Sequence, residues 1–221
     1  MTSLISVAKA LEMVPGLDPG VATLEKLEGG LTNRTYYVSQ GNTTCVLRLD
    51  APHSDVVRSN RLNELSILTE AAKVGLAPHV IFSNVEFGIL VTEYLPGLIW
   101  SESDLRVTKN LEKLADLLRS VHGLPVCGFR QDMLEIAVSY QKYFEKHPEL
   151  NAFAIKCIDI IRSIASSDTI TCCHNDVVAA NVVESTRLQL IDWEFAADYD
   201  PFFDLASVIG FHNLGDKHAN I

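Results

Sequence analysis

A short stretch near the C-terminal end constrains the fold of this chain most strongly, because it places carboxylates among apolar residues. Asp176 and Asp192 lie on either side of Asn181, and valine, leucine and isoleucine side chains surround all three. Carboxylates that run through apolar strands destabilise a fold unless a partner neutralises them. A divalent cation is the commonest such partner, and oxygen ligands in this pattern suit magnesium. The stretch therefore predicts a magnesium site.

The spacing of these three residues predicts that they converge on one pocket. Asp176 and Asn181 are five residues apart, so one loop brings both within reach of the same ligand. Short strands predicted at 181–184 and 188–191 form a hairpin that returns Asp192 towards Asn181. These oxygen ligands, completed by an incoming triphosphate, would hold magnesium. Asp176 is also suited to orient a substrate hydroxyl and accept its proton.

The N-terminal part of the chain predicts a nucleotide site on a set of strands. The predicted strands lie at residues 23–27, 35–39 and 43–49. Because side chains alternate along a strand, Val46 and Arg48 share one face of the third strand. An apolar residue beside a cation suits a nucleotide, with Val46 against the base and Arg48 against the phosphates.

A glycine loop joins the first two of these strands, and it permits two interpretations. The backbone N–H groups of Gly29 and Gly30 would face phosphates, with Thr32 and Asn33 as side-chain donors. Alternatively, the glycine pair only makes a tight turn. The loop is not a Walker A motif and does not open a helix, which disfavours the P-loop and dinucleotide fingerprints.

A helix is predicted at residues 55–73, and it carries a glutamate of interest. The expected apolar stripe consists of Leu62, Leu65, Leu68 and Ala72. Glu64 is either the ion-pair partner of Arg48 or an ordinary solvent-exposed glutamate. We favour the ion pair, because buried pairs of this kind occur at active sites.

The remaining pattern predicts an α+β chain with two lobes. A helix is expected at residues 2–13, and further strands are expected at 79–83 and 87–92. The turn at Pro96–Gly97 suggests a boundary between an N-terminal nucleotide-binding lobe, 1–93, and a C-terminal catalytic lobe, 94–221. Helices predicted from Asp104 to His122, at 131–146 and at 149–165 make the second lobe mostly helical.

The composition limits the classes of binding partner and the cellular compartment that we expect for this protein. The net charge of -10 argues against nucleic acid or an anionic membrane as the main partner. Neither a membrane span nor a signal peptide is expected from the apolar runs. Five cysteines at scattered positions predict a reduced, cytoplasmic protein. Cys172 and Cys173 are interpreted as small buried side chains in preference to metal ligands.

These motifs together resemble the aminoglycoside phosphotransferase and choline kinase superfamily, which has a protein kinase-like fold. The resemblance covers about residues 20–210 and is closest to choline, ethanolamine and thiamine kinases. The motifs that carry it are Gly29-Gly30-Leu31-Thr32-Asn33, Arg48, Glu64, His174-Asn175-Asp176 with Asn181, Ile191-Asp192-Trp193-Glu194 and Pro201-Phe202-Phe203-Asp204-Leu205. It implies a two-lobed fold with an N-terminal antiparallel sheet plus a helix, and a small-molecule kinase that uses ATP and Mg²⁺.

The resemblance also implies roles for individual residues. Asp176 would be the catalytic base, and Asn181 and Asp192 would bind magnesium. Arg48 would contact the nucleotide phosphates, a position where the superfamily usually has lysine and choline kinase-like members often have arginine. The backbone of the segment from Glu93 to Leu95 would pair with adenine. Similarly, Asp204 would brace the catalytic loop, and His174 is expected to be structural.

Two departures from protein kinases point to a small-molecule substrate. Asn175 replaces the arginine that senses a phosphorylated activation loop, and Trp193-Glu194 replaces Phe-Gly. A phosphorylation-gated protein kinase is therefore disfavoured.

The choline-type relatives act on cationic alcohols, so an acidic and aromatic wall is a candidate substrate site. Its members would be Trp193, Glu194, Phe195, Asp198 and Tyr199. The alternative is that Trp193 and Phe195 are core residues beside the site. Aminoglycosides are also polycationic alcohols, so charge alone does not choose between these substrates.

Two further expectations concern the whole protein. A non-catalytic nucleotide-binding pseudokinase is the main alternative, but such proteins usually lose the base, the asparagine or the metal-binding aspartate, and all three are present.

The chain ends at Ile221, soon after Asp204, whereas members of the superfamily continue with further helices. We therefore expect either a truncated chain or an open substrate pocket. The sequence leaves the oligomeric state open.

Overall fold

The computed structural model describes residues 5–27, 33–51, 60–164 and 169–215. An antiparallel sheet dominates the N-terminal part, and helices dominate the part that follows. The predicted α+β class is therefore confirmed. None of the helices in these ranges has both the length and the apolar character needed to cross a membrane.

The N-terminal sheet has five antiparallel strands in the order β1-β2-β3-β5-β4. The strands are β1 Thr23–Leu27, β2 Asn33–Gln40, β3 Thr43–Asp50, β4 Val80–Asn84 and β5 Ile89–Glu93. Strand β3 alternates as predicted: Cys45, Leu47 and Leu49 are buried, whereas Val46 and Arg48 lie on the opposite face. The buried face packs against a short helix, and the other face carries the polar residues of the site.

Helix α1, Val7–Met13, covers the buried face of the sheet. The Ser6 side chain accepts a hydrogen bond from the backbone N–H of Lys9 and so caps its first turn. Ala10 and Leu11 are completely buried in the sheet core. The predicted helix began earlier, at residue 2, but residues 1–4 lie outside the described ranges.

Helix α2, Arg61–Lys73, buries only part of the predicted apolar stripe, namely Leu68 and Ala72. Leu62 is 68% exposed, so its assignment to the apolar stripe was wrong. The buried residues of the helix are Glu64, Ile67, Leu68, Ala71 and Ala72. Their spacing of three and four residues places Glu64 on the buried face, and Leu62 lies on the opposite side. The part of the predicted helix at 52–59 lies outside the described ranges.

The larger core lies mostly after Glu93 and includes helix α2. Helix α3, Thr108–His122, buries the whole predicted stripe of Leu111, Leu114, Leu117, Leu118 and Val121. The apolar residues of α2 belong to the same cluster as these leucines. The sheet core is a separate cluster. Helix α2 is thus packed onto the helical part of the chain, although it precedes the predicted lobe boundary in sequence. The position of that boundary stays a prediction.

The other helices are α4 Met133–Phe144, α5 Pro148–Ser163 and α6 Pro201–Phe211. Helices α4 and α5 pack against each other. The Asp200 carboxylate accepts a hydrogen bond from the backbone N–H of Phe202 and caps α6.

Short strands carry the loops of the candidate site. Strands β6 Leu98–Ile99, β8 Val182–Glu184 and β9 Leu188–Leu190 form one small sheet, which confirms the predicted β8–β9 hairpin. Strands β7 Thr171–Cys173 and β10 Ala197–Tyr199 form another. Two functional loops begin at His174 and Ile191, where β7 and β9 end.

The two adjacent cysteines of β7 are expected to be unreactive in the folded protein. Cys172 and Cys173 are completely buried free thiols, and burial raises the pKa of each to about 12. A raised pKa favours the thiol form, so little of the reactive thiolate is present at either position near neutral pH. Iodoacetamide labelling at pH 7 and 9, read by mass spectrometry, should modify the partly exposed Cys157 first. Native-state labelling of Cys172 or Cys173 at the rate of Cys157 would contradict this.

Candidate active site

The loop that follows β7 is held by a buried aspartate from α6. The Asp204 carboxylate accepts hydrogen bonds from the backbone N–H groups of His174, at 3.1 Å, and Asn175, at 2.7 Å. His122 Nε2 lies 2.9 Å from the same carboxylate. Asn175 has a φ of 62°, in the left-handed region that asparagine tolerates better than most residues. Asp204 therefore fixes the direction in which the loop leaves the strand, as the resemblance implied.

His174 is a structural residue of this loop. It is completely buried, and its ring packs edge-on against Trp193 with centroids 4.8 Å apart. Burial lowers the pKa of His174, so the ring is neutral at pH 7. Its Nε2 lies 3.1 Å from the carbonyl oxygen of Ile191. His174 thus ties the first functional loop to the start of the second.

Asp176 and Asn181 lie together, as their spacing predicted. The Asn181 amide nitrogen donates to the Asp176 carboxylate at 2.9 Å and to the Asp176 carbonyl oxygen at 3.0 Å. A single 3-10 turn, Ala179–Asn181, brings the chain back between them. Burial raises the pKa of Asp176. The amide nitrogen of Asn181 is thus engaged by Asp176, so the amide oxygen is the atom that a cation would meet.

Asp192 begins the second functional loop, next to Asn181. The backbone N–H of Ile191 donates to the Asn181 carbonyl oxygen at 2.9 Å, which joins the two loops. Asp192 also has a φ of 62°, in the left-handed region that aspartate, like asparagine, adopts more readily than most residues. Burial, followed by the nearby Glu194 carboxylate, raises the pKa of Asp192 to about 7. This carboxylate therefore favours a bound proton or a bound cation.

Arg48 and Glu64 form the predicted ion pair. Two contacts join the guanidinium to the carboxylate, at 2.5 and 2.6 Å. Glu64 is 2% exposed, so its interpretation as a surface glutamate was wrong. Burial alone would raise the pKa of Glu64, but Arg48 and Arg61 outweigh it and lower the pKa. Arg48 also lies 3.5 Å from Asp192, so the sheet and the second functional loop meet here.

The structure describes only some of the other residues that were predicted to contact the nucleotide. Gly29, Gly30 and Thr32 lie outside the described ranges. The Asn33 amide donates to Glu194 at 2.9 Å and accepts from Arg61 at 2.8 Å, so both of its ends are engaged within the protein.

The residues predicted to contact the base lie on the inner strands β3 and β5 and in the segment after β5. Val46 is half-buried on the face of Arg48, with Tyr37 and Thr92 opposite it on the neighbouring strands. Glu93 ends β5, and its backbone N–H donates to the His79 carbonyl oxygen at 2.9 Å. Leu95 follows as a half-buried residue.

The predicted substrate wall needs two corrections. Trp193 is 1% exposed and donates its indole N–H to the Leu190 carbonyl oxygen at 2.9 Å, so it is a core residue. Asp198 is buried and accepts the backbone N–H groups of Cys127 and Gly128, at 2.8 and 2.7 Å, so it is structural. Both side chains point into the fold, where they cannot meet a ligand.

Unlike Trp193 and Asp198, Glu194 and Tyr199 lie at a cleft or next to one of its lining residues. Glu194 lines a cleft beside Asp176, but it is 4% exposed and paired with Arg61. Tyr199 is half-buried and packs edge-on against Phe203, which lines the same cleft.

The cleft beside Asp176 is largely aromatic and apolar. It has a volume of about 220 Å³. Its lining residues are Asn60, Asn63, Phe129, Gln131, Met133, Ile136, Tyr140, Asn175, Asp176, Glu194, Phe195, Ala196, Phe203, Ser207 and Phe211. Sequence reasoning missed most of these aromatic residues, because helices α4 and α6 bring them together from distant parts of the chain.

Arg61 is the other residue that sequence reasoning missed. Its guanidinium contacts Glu64 at 3.0 Å, Glu194 at 3.1 Å and Asp50 at 2.7 Å. The available signal was its position three residues before Glu64 on a predicted helix, where the two side chains are neighbours.

The site places a cation on the sheet and carboxylates on two loops beside one cleft. This arrangement is typical of a kinase-like phosphotransferase. Comparison with known sequences supports the same class of protein. Residues 23–218 match the Phosphotransferase enzyme family, and the chain belongs to this family.

Among curated relatives, the chain is 26% identical over 204 residues to Protein LicA of Haemophilus influenzae. That match covers 87% of this chain and 59% of LicA. The chain is also 25% identical over 205 residues to thiamine kinase of Shigella boydii, and this match covers 89% of this chain and 69% of the enzyme. The chain thus spans roughly three fifths to two thirds of the length of these relatives.

Solved structures confirm the kinase-like fold. Choline kinase LicA from Streptococcus pneumoniae matches with a TM-score of 0.76 and 22% identity, over 90% of this chain and 72% of that one. A structure of LicA in complex with AMP matches with a TM-score of 0.74 and 21% identity, over 90% of this chain and 70% of that one.

Proposed function

We propose that this protein is an ATP-dependent small-molecule kinase. It transfers the γ-phosphate to the hydroxyl group of a cationic alcohol of the choline, ethanolamine or thiamine type. Family membership and the names of the relatives support this activity. The observation that carries the proposal is the position of Asp176, whose carboxylate opens into a cleft with mostly aromatic and apolar walls.

The nucleotide is proposed to bind between the sheet and the two functional loops. The AMP complex of LicA supports a nucleotide site in this fold. In this chain, Val46 would contact the base, and the backbone of Glu93 and Leu95 would pair with adenine. Arg48 would contact the phosphates, because its planar guanidinium can bind two phosphate oxygens at once. Gly29, Gly30 and Thr32 would add donors from the glycine loop.

The donor set beside the nucleotide fits magnesium. Asp192 offers a carboxylate whose raised pKa favours a counter-cation, and Asn181 offers an amide oxygen. Oxygen ligands of this type suit Mg²⁺, which would neutralise charge on the phosphates of the bound nucleotide. Arg48 lies 3.5 Å from Asp192, which supports a shared role at the phosphates.

Asp176 is proposed to act on the acceptor hydroxyl. The carboxylate would orient the hydroxyl oxygen towards the γ-phosphorus and accept the hydroxyl proton. A bond forms between that oxygen and phosphorus, the bond from the γ-phosphorus to the β,γ-bridging oxygen breaks, and ADP leaves. The Asn181 amide holds Asp176 in position through its hydrogen bond. Positioning and charge neutralisation supply most of the rate enhancement in such transfers.

The cleft favours a monovalent cationic alcohol over an aminoglycoside. Its described lining contains two carboxylates, Asp176 and Glu194, and Arg61 neutralises the second. A polycationic antibiotic would need several carboxylates, whereas aromatic faces bind a single quaternary or primary ammonium group. The convergence of Asp176, Asn181 and Asp192 also disfavours a non-catalytic pseudokinase.

A phosphoryl-transfer screen tests this proposal. The purified protein is incubated with ATP and magnesium and, separately, with choline, ethanolamine, thiamine, an aminoglycoside and a simple sugar. Product is detected by mass spectrometry, so that ATP hydrolysis is not mistaken for transfer. Phosphorylation of one or more of the first three acceptors is expected. Exclusive phosphorylation of the aminoglycoside, or magnesium–ATP binding without transfer to any acceptor, would overturn the proposal.

Removing one aromatic ring from the cleft should weaken acceptor binding selectively. Phe203→Leu keeps an apolar side chain but removes the ring face, and a cation–π contact contributes about 0.5–2 kcal/mol. We expect the KM for the cationic alcohol to rise about 2- to 30-fold, with an unchanged KM for ATP. Phe202→Leu is the matched control, because Phe202 is 68% exposed and lies outside the cleft lining. Equal effects of the two variants would contradict the assignment of the cleft.

A further inference from the structure

Arg61 has no role in the proposed reaction, but it contacts residues that lie next to the proposed reaction groups. It is the first residue of α2, and its side chain is 12% exposed. One terminal nitrogen of its guanidinium contacts Glu64 and Glu194, and the other contacts Asp50 and Asn33. These four partners come from α2, the second functional loop, β3 and β2. One side chain therefore joins the helix, the sheet and the loop.

The contacts of Arg61 complete a closed ring of charged groups. Arg48 lies against Asp192 and pairs with Glu64, and Glu64 is shared with Arg61. Arg61 then contacts Glu194, which is only two residues along the chain from Asp192. A ring of this kind fixes the separation of its members, because none can move without breaking a contact of a neighbour.

Independent contacts hold both sides of the ring. Asn63, two residues after Arg61, donates its amide N–H to the Ala196 carbonyl oxygen at 2.6 Å, which is a second link from α2 to the same loop. Trp193 anchors the loop to the core through Leu190. The Asn33 amide donates to Glu194 at 2.9 Å and so orients that carboxylate towards Arg61.

The chemistry of arginine matters at this position. The planar guanidinium carries five donors in a fixed fork, whereas a lysine ammonium is a single point charge with three donors. A lysine at position 61 would keep the positive charge but could not span the two pairs of partners. Loss of the charge would remove the ion pair that Arg61 makes with Glu194, which is 4% exposed.

We infer that Arg61 is a positioning residue that sets the distance between the phosphate-binding Arg48 and the metal-binding Asp192. It does so by holding Glu64 on α2 and Glu194 on the second functional loop in one ion-pair ring. The inference rests on the proposed function for the roles of Arg48 and Asp192, but the ring itself is defined by the contacts of Arg61.

The first test measures whether Arg61 ties the loop to the helix. Arg61→Gln is compared with wild type by hydrogen–deuterium exchange of the full chain. We expect exchange to rise about tenfold in both α2 and residues 192–196, because local opening follows the loss of contacts. Arg119→Gln is the matched control, since Arg119 is exposed and pairs with Asp116 on its own helix. Faster exchange confined to α2 would overturn the inference.

The second test measures the effect on the reaction. Arg61→Gln should lower kcat with ATP about 100-fold, because misplacement of about 1 Å costs rate on that order. Arg61→Lys should recover only part of this loss. The double variant with Glu194→Gln should be no worse than the more impaired single variant, because both changes open the same ring. Full activity of Arg61→Lys, or additive losses in the double variant, would overturn the inference.

The two tests separate failure of this inference from failure of the proposed function. If the wild-type protein phosphorylates no acceptor, the proposed function fails, and the exchange experiment still decides whether Arg61 holds the loop. If the wild-type protein is active and Arg61→Gln matches it in rate and exchange, the inference alone fails. Thermal unfolding of each variant identifies any global loss of structure. If Arg61→Gln does not fold, the comparison of Arg61→Lys with wild type decides the inference.

Discussion

Asp176→Asn is expected to lower kcat for phosphoryl transfer about 100- to 10,000-fold, the usual range for loss of a general base. Asparagine has nearly the same shape as aspartate, and its amide oxygen can still accept the hydrogen bond from Asn181. It cannot take a proton from the acceptor hydroxyl, however. The loss should therefore appear in kcat, whereas the affinity for magnesium–ADP should stay within about threefold of wild type.

The measurement combines steady-state kinetics with calorimetric titration of magnesium–ADP. Asp116→Asn provides a matched control, because Asp116 is an exposed carboxylate on α3 that contacts Arg119 and lies away from the cleft. The control should keep wild-type activity. Near wild-type turnover by Asp176→Asn would remove Asp176 from the proposed mechanism, and a large loss of nucleotide affinity would show that its role is not specific to the acceptor.

Asp204→Ala is expected to lower the free energy of unfolding by about 3–5 kcal/mol, the range for breaking a buried charged contact. The Asp204 carboxylate is completely buried and accepts the backbone N–H groups of His174 and Asn175. Alanine would leave both donors buried without their acceptor, and an unsatisfied buried donor costs about 1–3 kcal/mol. Phosphoryl transfer should fall as well, since these donors direct the loop that carries Asp176.

Urea-induced unfolding measures this change, with a shift of the midpoint at constant slope as the expected signature. Asp200→Ala is the matched control on the same helix, because Asp200 caps the start of α6. Loss of an N-cap costs about 1 kcal/mol. A destabilisation by Asp204→Ala that does not exceed that of Asp200→Ala would contradict the bracing role of Asp204.

The local parts of the site were predictable because each depends on a short-range rule. The alternation of side chains along β3 predicted that Val46 and Arg48 share a face, and the structure confirms this. The five-residue spacing predicted that Asp176 and Asn181 meet, and they are joined by a hydrogen bond. The Arg48–Glu64 pair was also predicted, although it joins two elements. Its residues had to be buried together, because each would be costly to bury alone.

Predictions failed where the choice lay between two faces of one segment. Leu62 was assigned to the apolar stripe by its helical spacing from other apolar residues, but Glu64, Ile67 and Leu68 lie on the buried face of α2. Trp193 was assigned to a substrate wall, whereas the His174 ring and the Leu190 carbonyl hold it in the core. Periodicity identifies which residues share a face, but the neighbouring elements decide which face is covered.

The sequence by itself determined the α+β class, the order of strands β1 to β5 and of helices α1 to α5, and the carboxylates and amide that we propose as cation ligands. These follow from periodicity, turn residues and the cost of burying charge, all of which act over a few residues. Only the tertiary structure decided that Arg61 closes an ion-pair ring with Glu64 and Glu194, and that aromatic residues of separate helices line the cleft. Arg61 and Glu194 lie 133 positions apart, and the aromatic residues come from separate elements, so both arrangements depend on how whole elements pack.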